Sequence, residues 1–209
     1  MIELIETVRI RDGRAPLWPL HRDRLRNSAA LLGVPLPPVL HPDGGPDKVR
    51  RLTVSAAGST WTDRAVGPTA PLRLAISSIR HPGYQHKTSD RETLDAARAD
   101  ARASGADDAL LLTPRGDVAE GAIWTVFWWD GARLATPALG LGILPGVARR
   151  RLGELTGGLA EREVPPEALK GRPVFVANAA RGVVAVRELE GSRVPADPRT
   201  GALATAFWP

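Results

Sequence analysis

The chain has no cysteine in its 209 residues, and that absence removes three kinds of chemistry. No disulfide framework, thiolate metal site or cysteine nucleophile is available. Lysine is almost as scarce: Lys48, Lys87 and Lys170 are the only lysines among 28 basic residues. No apolar run reaches the roughly 18 residues a membrane-spanning helix needs. Glu3 and Glu6 interrupt the N-terminus early, which excludes a secretory signal there. The P-loop pattern, the dinucleotide glycine fingerprint, the H-E-x-x-H zinc helix and the G-x-S-x-G elbow are all missing. Four histidines, His21, His41, His81 and His86, show no metal-ligand spacing, and few are expected to have a carboxylate partner. These exclusions predict a cytoplasmic protein without a metal site.

What is present is ordinary for a folded domain. Hydrophobic residues make up 43% and charged residues 24%, so a packed core is expected in one large domain or two small ones. A net charge of +5 raises nucleic-acid binding as a possibility. The arginines are dispersed among acids, however, and the one dense run, Arg149 to Arg151, has no interleaved aromatics. A few arginines gripping small anions fits better, because guanidinium pairs bidentately with carboxylate and phosphate. Arginine cannot replace lysine where a neutral amine must attack a carbonyl. Lys48 and Lys170 sit in turn-like polar contexts and read as surface residues. Lys87 lies in the loop His81-Pro-Gly-Tyr-Gln-His-Lys-Thr-Ser-Asp-Arg91 and is the candidate for chemistry.

Alternation predicts strands over residues 2–10, 15–18, 51–56, 71–77, 108–113, 118–129, 132–136, 159–164, 173–178 and 183–189. Helical spacing predicts helices over 20–32, 91–104 and 147–155, the first two closed by Gly33 and Gly105. Residues 34–46 are too rich in proline and glycine for regular structure. The reading is a mixed α/β chain with a small lobe over 1–80, a larger lobe over 81–209, and a cleft between them.

Five segments occur in a fixed order. Leu4-Ile-Glu-Thr-Val-Arg9 precedes His21-Arg-Asp-Arg-Leu25, and His86-Lys-Thr-Ser-Asp-Arg91 follows. Asp108 to Leu112 then leads through Gly116-Asp-Val-Ala-Glu-Gly121. Gly142-Ile-Leu-Pro-Gly-Val147 and Val174-Phe-Val-Ala-Asn178 with Arg181-Gly-Val-Val-Ala-Val186 close the series. Together these resemble the fold-type IV pyridoxal phosphate enzymes, the class IV aminotransferases, and among them most of all 4-amino-4-deoxychorismate lyase.

The resemblance implies roles. Lys87 would condense with the aldehyde of pyridoxal 5'-phosphate, and Glu120 would keep the ring nitrogen protonated. Arg24, the backbone of Val147 and Ala148, and Asn178 would hold the phosphate side. Arg22, Arg91, Arg149 and Arg181 are the candidates for a substrate carboxylate. The substrate would be a small amine bearing carboxylate, and the assembly a homodimer. The implied reaction releases pyruvate and 4-aminobenzoate on the way to folate. A transaminase acting on D- or L-amino acids is the alternative; a cofactor-binding protein without turnover is the alternative of another class. The chain departs from the family at Thr125, Ala179 and Ala180, and at Glu92, where branched-chain enzymes carry tyrosine. The family's usual segment ahead of the first strand has no counterpart before Met1.

Overall fold

The computed structural model describes residues 3–38, 41–42 and 44–209. Residue 2, where the first strand was expected to begin, lies outside them.

Strand β1 (Leu4–Ile10) pairs antiparallel with β2 (Lys48–Ser55), and β2 with β3 (Gly58–Arg64). One face of this sheet is apolar: Leu4, Val8, Ile10, Leu52 and Val54 pack on Trp18, Leu25 and Ala29 of helix α1 (Trp18–Leu32). The opposite face is polar. Thr7, Arg51 and Thr62 form one row across the three strands, and Arg64 follows two residues along β3. The expected strand at 15–18 is absent, because Pro19 in the first turn of α1 suits a helix start. Gly33 closes α1 in the left-handed conformation, φ 64°, as its position predicts. Strand β3 was not anticipated.

The larger sheet is mixed and curled. It contains β4 (Leu72–Ile76), β5 (Asp108–Leu112), β6 (Val118–Gly121), β7 (Thr125–Asp130), β8 (Arg133–Pro137), β9 (Ala160–Arg162), β10 (Val174–Asn178), β11 (Gly182–Leu189) and β12 (Ser192–Arg193). Their order is β6-β5-β4-β11-β10-β7-β8-β9, with β12 added beside β11. Helix α2 (Glu92–Ala103) covers one side through Leu94, Ala97 and Ala101 against Ala109 and Leu111. Helices α3 (Val147–Thr156) and α4 (Pro198–Ala206) cover another through Leu152 and Leu203, around the stacked Phe127–Phe175 pair.

Two differences from the sequence reading bear on the site. A boundary at residue 80 would leave β4 in the small lobe, yet β4 runs parallel to both β5 and β11 and its Leu74 joins the large core. The chain therefore crosses between the sheets over residues 65–71. The single strand expected over 118–129 is broken at 122–124, where Gly121 and Trp124 exchange backbone hydrogen bonds. That break directs Ile123 and Trp124 to the cavity edge.

Candidate active site

A cavity of about 440 Å³ opens between the polar face of the small sheet and the large lobe. Lys87 lines it, and the loop that carries Lys87 is fixed from both sides. The amide of Ile5 donates to the carbonyl of Lys87 at 2.8 Å, and that of Ser89 to Glu3 at 2.9 Å. The Tyr84 hydroxyl donates to the carbonyl of Thr88 (2.7 Å) and accepts from its amide (2.9 Å). The loop thus extends the edge of β1. Burial pushes the Lys87 amine from 10.5 down to about 7, and the cations Arg24 and Arg91 add to the effect against Glu6 and Glu120. An amine held there has a substantial neutral fraction at physiological pH.

Beneath the loop lies a buried triad. Arg24 and His21, three residues apart on one face of α1, both reach Glu6. Arg24 donates through Nε at 2.9 Å and Nη2 at 2.5 Å, and His21 through Nδ1 at 2.6 Å. Burial opposes ionisation of Glu6, but Arg24 and His21 outweigh it and hold the carboxyl at about 2. Burial also lowers the His21 pKa, so its neutral ring donates from Nδ1 while buried Nε2 has no hydrogen-bond partner in the protein. Glu6 escaped the sequence reading. Its signal was an acid at an inward position between apolar Leu4 and Val8.

The folded pKa of Glu6 lies below its ordinary 4.5, so the stability it contributes is complete above pH 4.5 and is lost as pH falls toward 2. The amount is about 3 kcal/mol. Glu6→Gln should cost about 3–5 kcal/mol in urea unfolding at pH 7, because it leaves Arg24 charged and uncompensated. A loss under about 1 kcal/mol would contradict this role.

Glu120 is the penultimate residue of β6 and is buried. Its Oε1 accepts from His81 Nε2 at 2.8 Å and from the amide of Leu144 at 3.3 Å. His81 is oriented in turn by the amide of Gly83, 3.2 Å from Nδ1. Two of the four histidines therefore hold a buried glutamate, a pairing that sequence spacing does not reveal.

Across the cavity, α3 begins at Val147 without a side-chain cap. Its first N–H groups lack helical partners and form the positive end of the helix dipole. A Cβ on Gly146 would lie 2.8 Å from Thr125 Oγ1, so only glycine lets the helix start approach so closely. Val147, Ala148, Thr125, Ala179 and Ala180 all line the cavity here. Asn178 braces the same wall, donating to Ile123 and accepting from the amides of Ala180 (3.0 Å) and Arg181 (2.9 Å).

The family model for amino-transferase class IV matches residues 43–189, well over half of the chain. The chain belongs to the class IV aminotransferase family. A protein assigned as an amino-acid aminotransferase from Mesorhizobium loti is 32% identical, with TM-score 0.81 over 90% of this chain and 100% of its own. Two further structures share the fold. One is assigned as a 4-amino-4-deoxychorismate lyase from Legionella pneumophila (23% identity, TM-score 0.85, 98% and 90% covered). The other is the branched-chain aminotransferase of Thermoproteus uzoniensis (22%, TM-score 0.86, 99% and 84%). No curated protein matches. Among the described residues no helix is long and apolar enough to cross a membrane.

Class IV enzymes use pyridoxal phosphate, and the cavity fits that group. It gathers a near-neutral lysine amine, a buried carboxylate, and an uncapped helix start with room created by Gly146. Of the four arginines considered for a substrate carboxylate, Arg91 and Arg181 line the cavity and two do not. Arg22 is exposed on α1, since two residues from Arg24 is about 200° around a helix. Arg149 is buried against the sheet, donating to Thr136 (3.1 Å) and Pro137 (2.7 Å) and pairing with Glu161 at 2.7 Å. It braces α3 onto β8 and β9. In their place the cavity holds Arg51, Arg64 and Arg98, none of them foreseen.

Proposed function

We propose that this class IV enzyme is a cytoplasmic lyase converting 4-amino-4-deoxychorismate to 4-aminobenzoate and pyruvate, a step toward folate. The observation that carries the reading is a cavity lysine held near pKa 7, the one amine suited to both capture and proton transfer. Pyridoxal phosphate, when bound, supplies an aldehyde that captures amines and a ring that withdraws electrons from the bonds being broken.

The chain's own residues supply the remainder. Lys87 Nζ takes a proton from the substrate, acting as general base near its own pKa. Glu120 keeps a proton on the ring nitrogen, and His81 fixes the carboxylate by occupying Oε1. Arg24, prealigned by Glu6, joins the backbone of Val147 and Ala148 in holding the phosphate, with Asn178 shaping that wall. Arg91 and Arg181 face the substrate.

The order of Lys87-Thr-Ser-Asp-Arg91, Ile143-Leu-Pro-Gly146 and Arg181-Gly-Val-Val-Ala-Val186 supports the lyase reading. The second reading, an amino-acid transaminase, is favoured by the 32% identity to the Mesorhizobium loti protein. Incubation with aminodeoxychorismate, and separately with D- or L-amino acids plus a keto acid, distinguishes them. The lyase releases pyruvate and 4-aminobenzoate without an added keto acid; keto-acid exchange in the absence of 4-aminobenzoate would establish the transaminase.

We also infer a two-fold homodimer, the commonest closed assembly. Exposed Leu31 on α1 and Leu139 leave apolar surface that a partner copy would cover. Sedimentation at micromolar concentration should give twice the chain mass. A monomer with cofactor bound would refute the dimer.

A further inference from the structure

The cavity carries more positive charge than a phosphate requires. Besides Arg24, five arginines line it: Arg51, Arg64, Arg91, Arg98 and Arg181. The lining acids are Asp95 and Glu120. Glu120 is engaged by His81, and Arg91 takes Asp95 at 3.3 Å and the carbonyl of Ala122 at 2.8 Å. Among the described residues, Arg51, Arg64 and Arg181 have no carboxylate at ion-pair distance.

Arg181 is held in place without being satisfied. On one side Gly67 seats against it so closely that a Cβ would lie 2.6 Å from Nη2. On the other its guanidinium stands 5.3 Å from the centroid of the Trp124 ring. The clamp removes side-chain freedom and some hydration while leaving the N–H donors available, the preorganisation that favours anion capture. Arg98 is similar. Its buried Nε has no hydrogen-bond partner, and its nearest acid, Asp108, stands off at 3.7 Å with Oδ2 likewise unpartnered. Burial lowers the pKa of both arginines; the charges of Arg98 and Arg64 depress Arg181 further and those of Arg102 and Arg91 depress Arg98, with Asp108 opposing in each case. Like charges gathered in a cavity repel unless a ligand neutralises them.

We propose that Arg64 of the small sheet and Arg98 and Arg181 of the large lobe form an anion site for an acid group of the substrate remote from its reacting amine. The site is built across both lobes and is additional to the phosphate cradle of Arg24 and α3. It selects substrates with two acid groups over monoacids. The assignment rests on the proposed pyridoxal phosphate chemistry only in taking the cradle as filled.

The test is calorimetric titration of the cofactor-loaded protein with glutarate and with pentanoate, which differ by the second carboxylate. Glutarate should bind at least ten-fold more tightly at low ionic strength, and added salt should reduce the preference. Arg64→Gln and Arg181→Gln should each weaken glutarate at least five-fold and leave pentanoate within two-fold, while Arg22→Gln changes neither. Arg64 is exposed on β3, so Arg64→Gln leaves the fold intact even if Arg181→Gln does not. A wild-type preference below ten-fold, or one retained by Arg64→Gln, overturns the site. Borohydride labelling of Lys87 on the same preparation reads the cofactor assignment separately. Label with no glutarate preference sinks the anion site alone; no label sinks the cofactor chemistry, and the comparison of wild type with Arg64→Gln, a residue outside the cradle, still reports on the anion site.

Discussion

Lys87→Ala should abolish turnover. The substitution removes the amine that captures the cofactor and the base that moves the proton, and general acid–base catalysis alone contributes about 10²–10⁴-fold. Activity should fall to background while the thermal midpoint stays within a few degrees, because the loop is held by backbone bonds from Ile5 and Ser89 and by the Tyr84 hydroxyl. The wild-type protein offers a companion measurement. The rate of cofactor uptake should rise with pH through an apparent pKa near 7 and then level off, since only the neutral amine reacts. An ordinary lysine at 10.5 would be about a thousand-fold less neutral at pH 7.5 and the rate would still be climbing at pH 9. A profile of that second kind, or Lys87→Ala retaining measurable turnover, would remove Lys87 from the mechanism.

Glu120→Gln is expected to be nearly as damaging for a different reason. Glutamine keeps the size of the side chain, and its carbonyl can still accept from His81 and from the amide of Leu144. It cannot supply the negative charge that keeps a ring nitrogen protonated. Removing one partner of a buried charged pair costs roughly 3–5 kcal/mol, which is about 10²- to several-thousand-fold in rate if all of it appears in the transition state. Cofactor binding through Lys87 and the phosphate cradle should persist, so the absorbance of the loaded protein remains while the catalytic constant falls. A variant keeping more than half of wild-type turnover would mean that Glu120 serves His81 and the loop rather than the ring.

Much of this architecture is legible in the sequence, for identifiable reasons. Helix α1 announces its end through Gly33, and β5 reads as a strand from the apolar run Ala109 to Leu112. Lys87 stands out because arginine takes most of the roles that charge alone can fill, the Lys48–Asp63 ion pair at 2.9 Å being an exception. The failures have equally definite causes. Strand β3, Gly-Ser-Thr-Trp-Thr-Asp-Arg, has one apolar side chain: Trp61 packs on the α1 core, while Thr62 and Arg64 on the other face line the cavity, so alternation carries little signal. Helix α4 contains Gly201 and two threonines and is marked only by Asp197, whose side chain accepts from the amide of Arg199 ahead of Pro198. The break after β6 depends on a local turn between Gly121 and Trp124 that an unbroken apolar pattern conceals.

The site residues divide in the same way. Those tied to backbone motifs, Lys87, Glu120 and the Pro145-Gly146 helix start, come together in one cavity. The arginines were harder to place, because guanidinium reaches far and its direction depends on tertiary contacts. Arg22 and Arg149 sit near motif residues in sequence but point to solvent and to the sheet. Arg64 and Arg98 belong to no motif, yet the fold sets Arg98 against the cavity wall and the exposed Arg64 at its rim. Glu6 needed a partner on α1, fifteen residues away at His21 and eighteen at Arg24, before its burial made sense.

The central claim is that Lys87 is the amine that captures the cofactor. Borohydride reduction of the protein loaded with pyridoxal phosphate, followed by mass spectrometry of its peptides, tests it directly. The account predicts one pyridoxyl group per chain, on the peptide containing Lys87. A label on Lys48 or Lys170 instead, or no label with cofactor saturating, would contradict it.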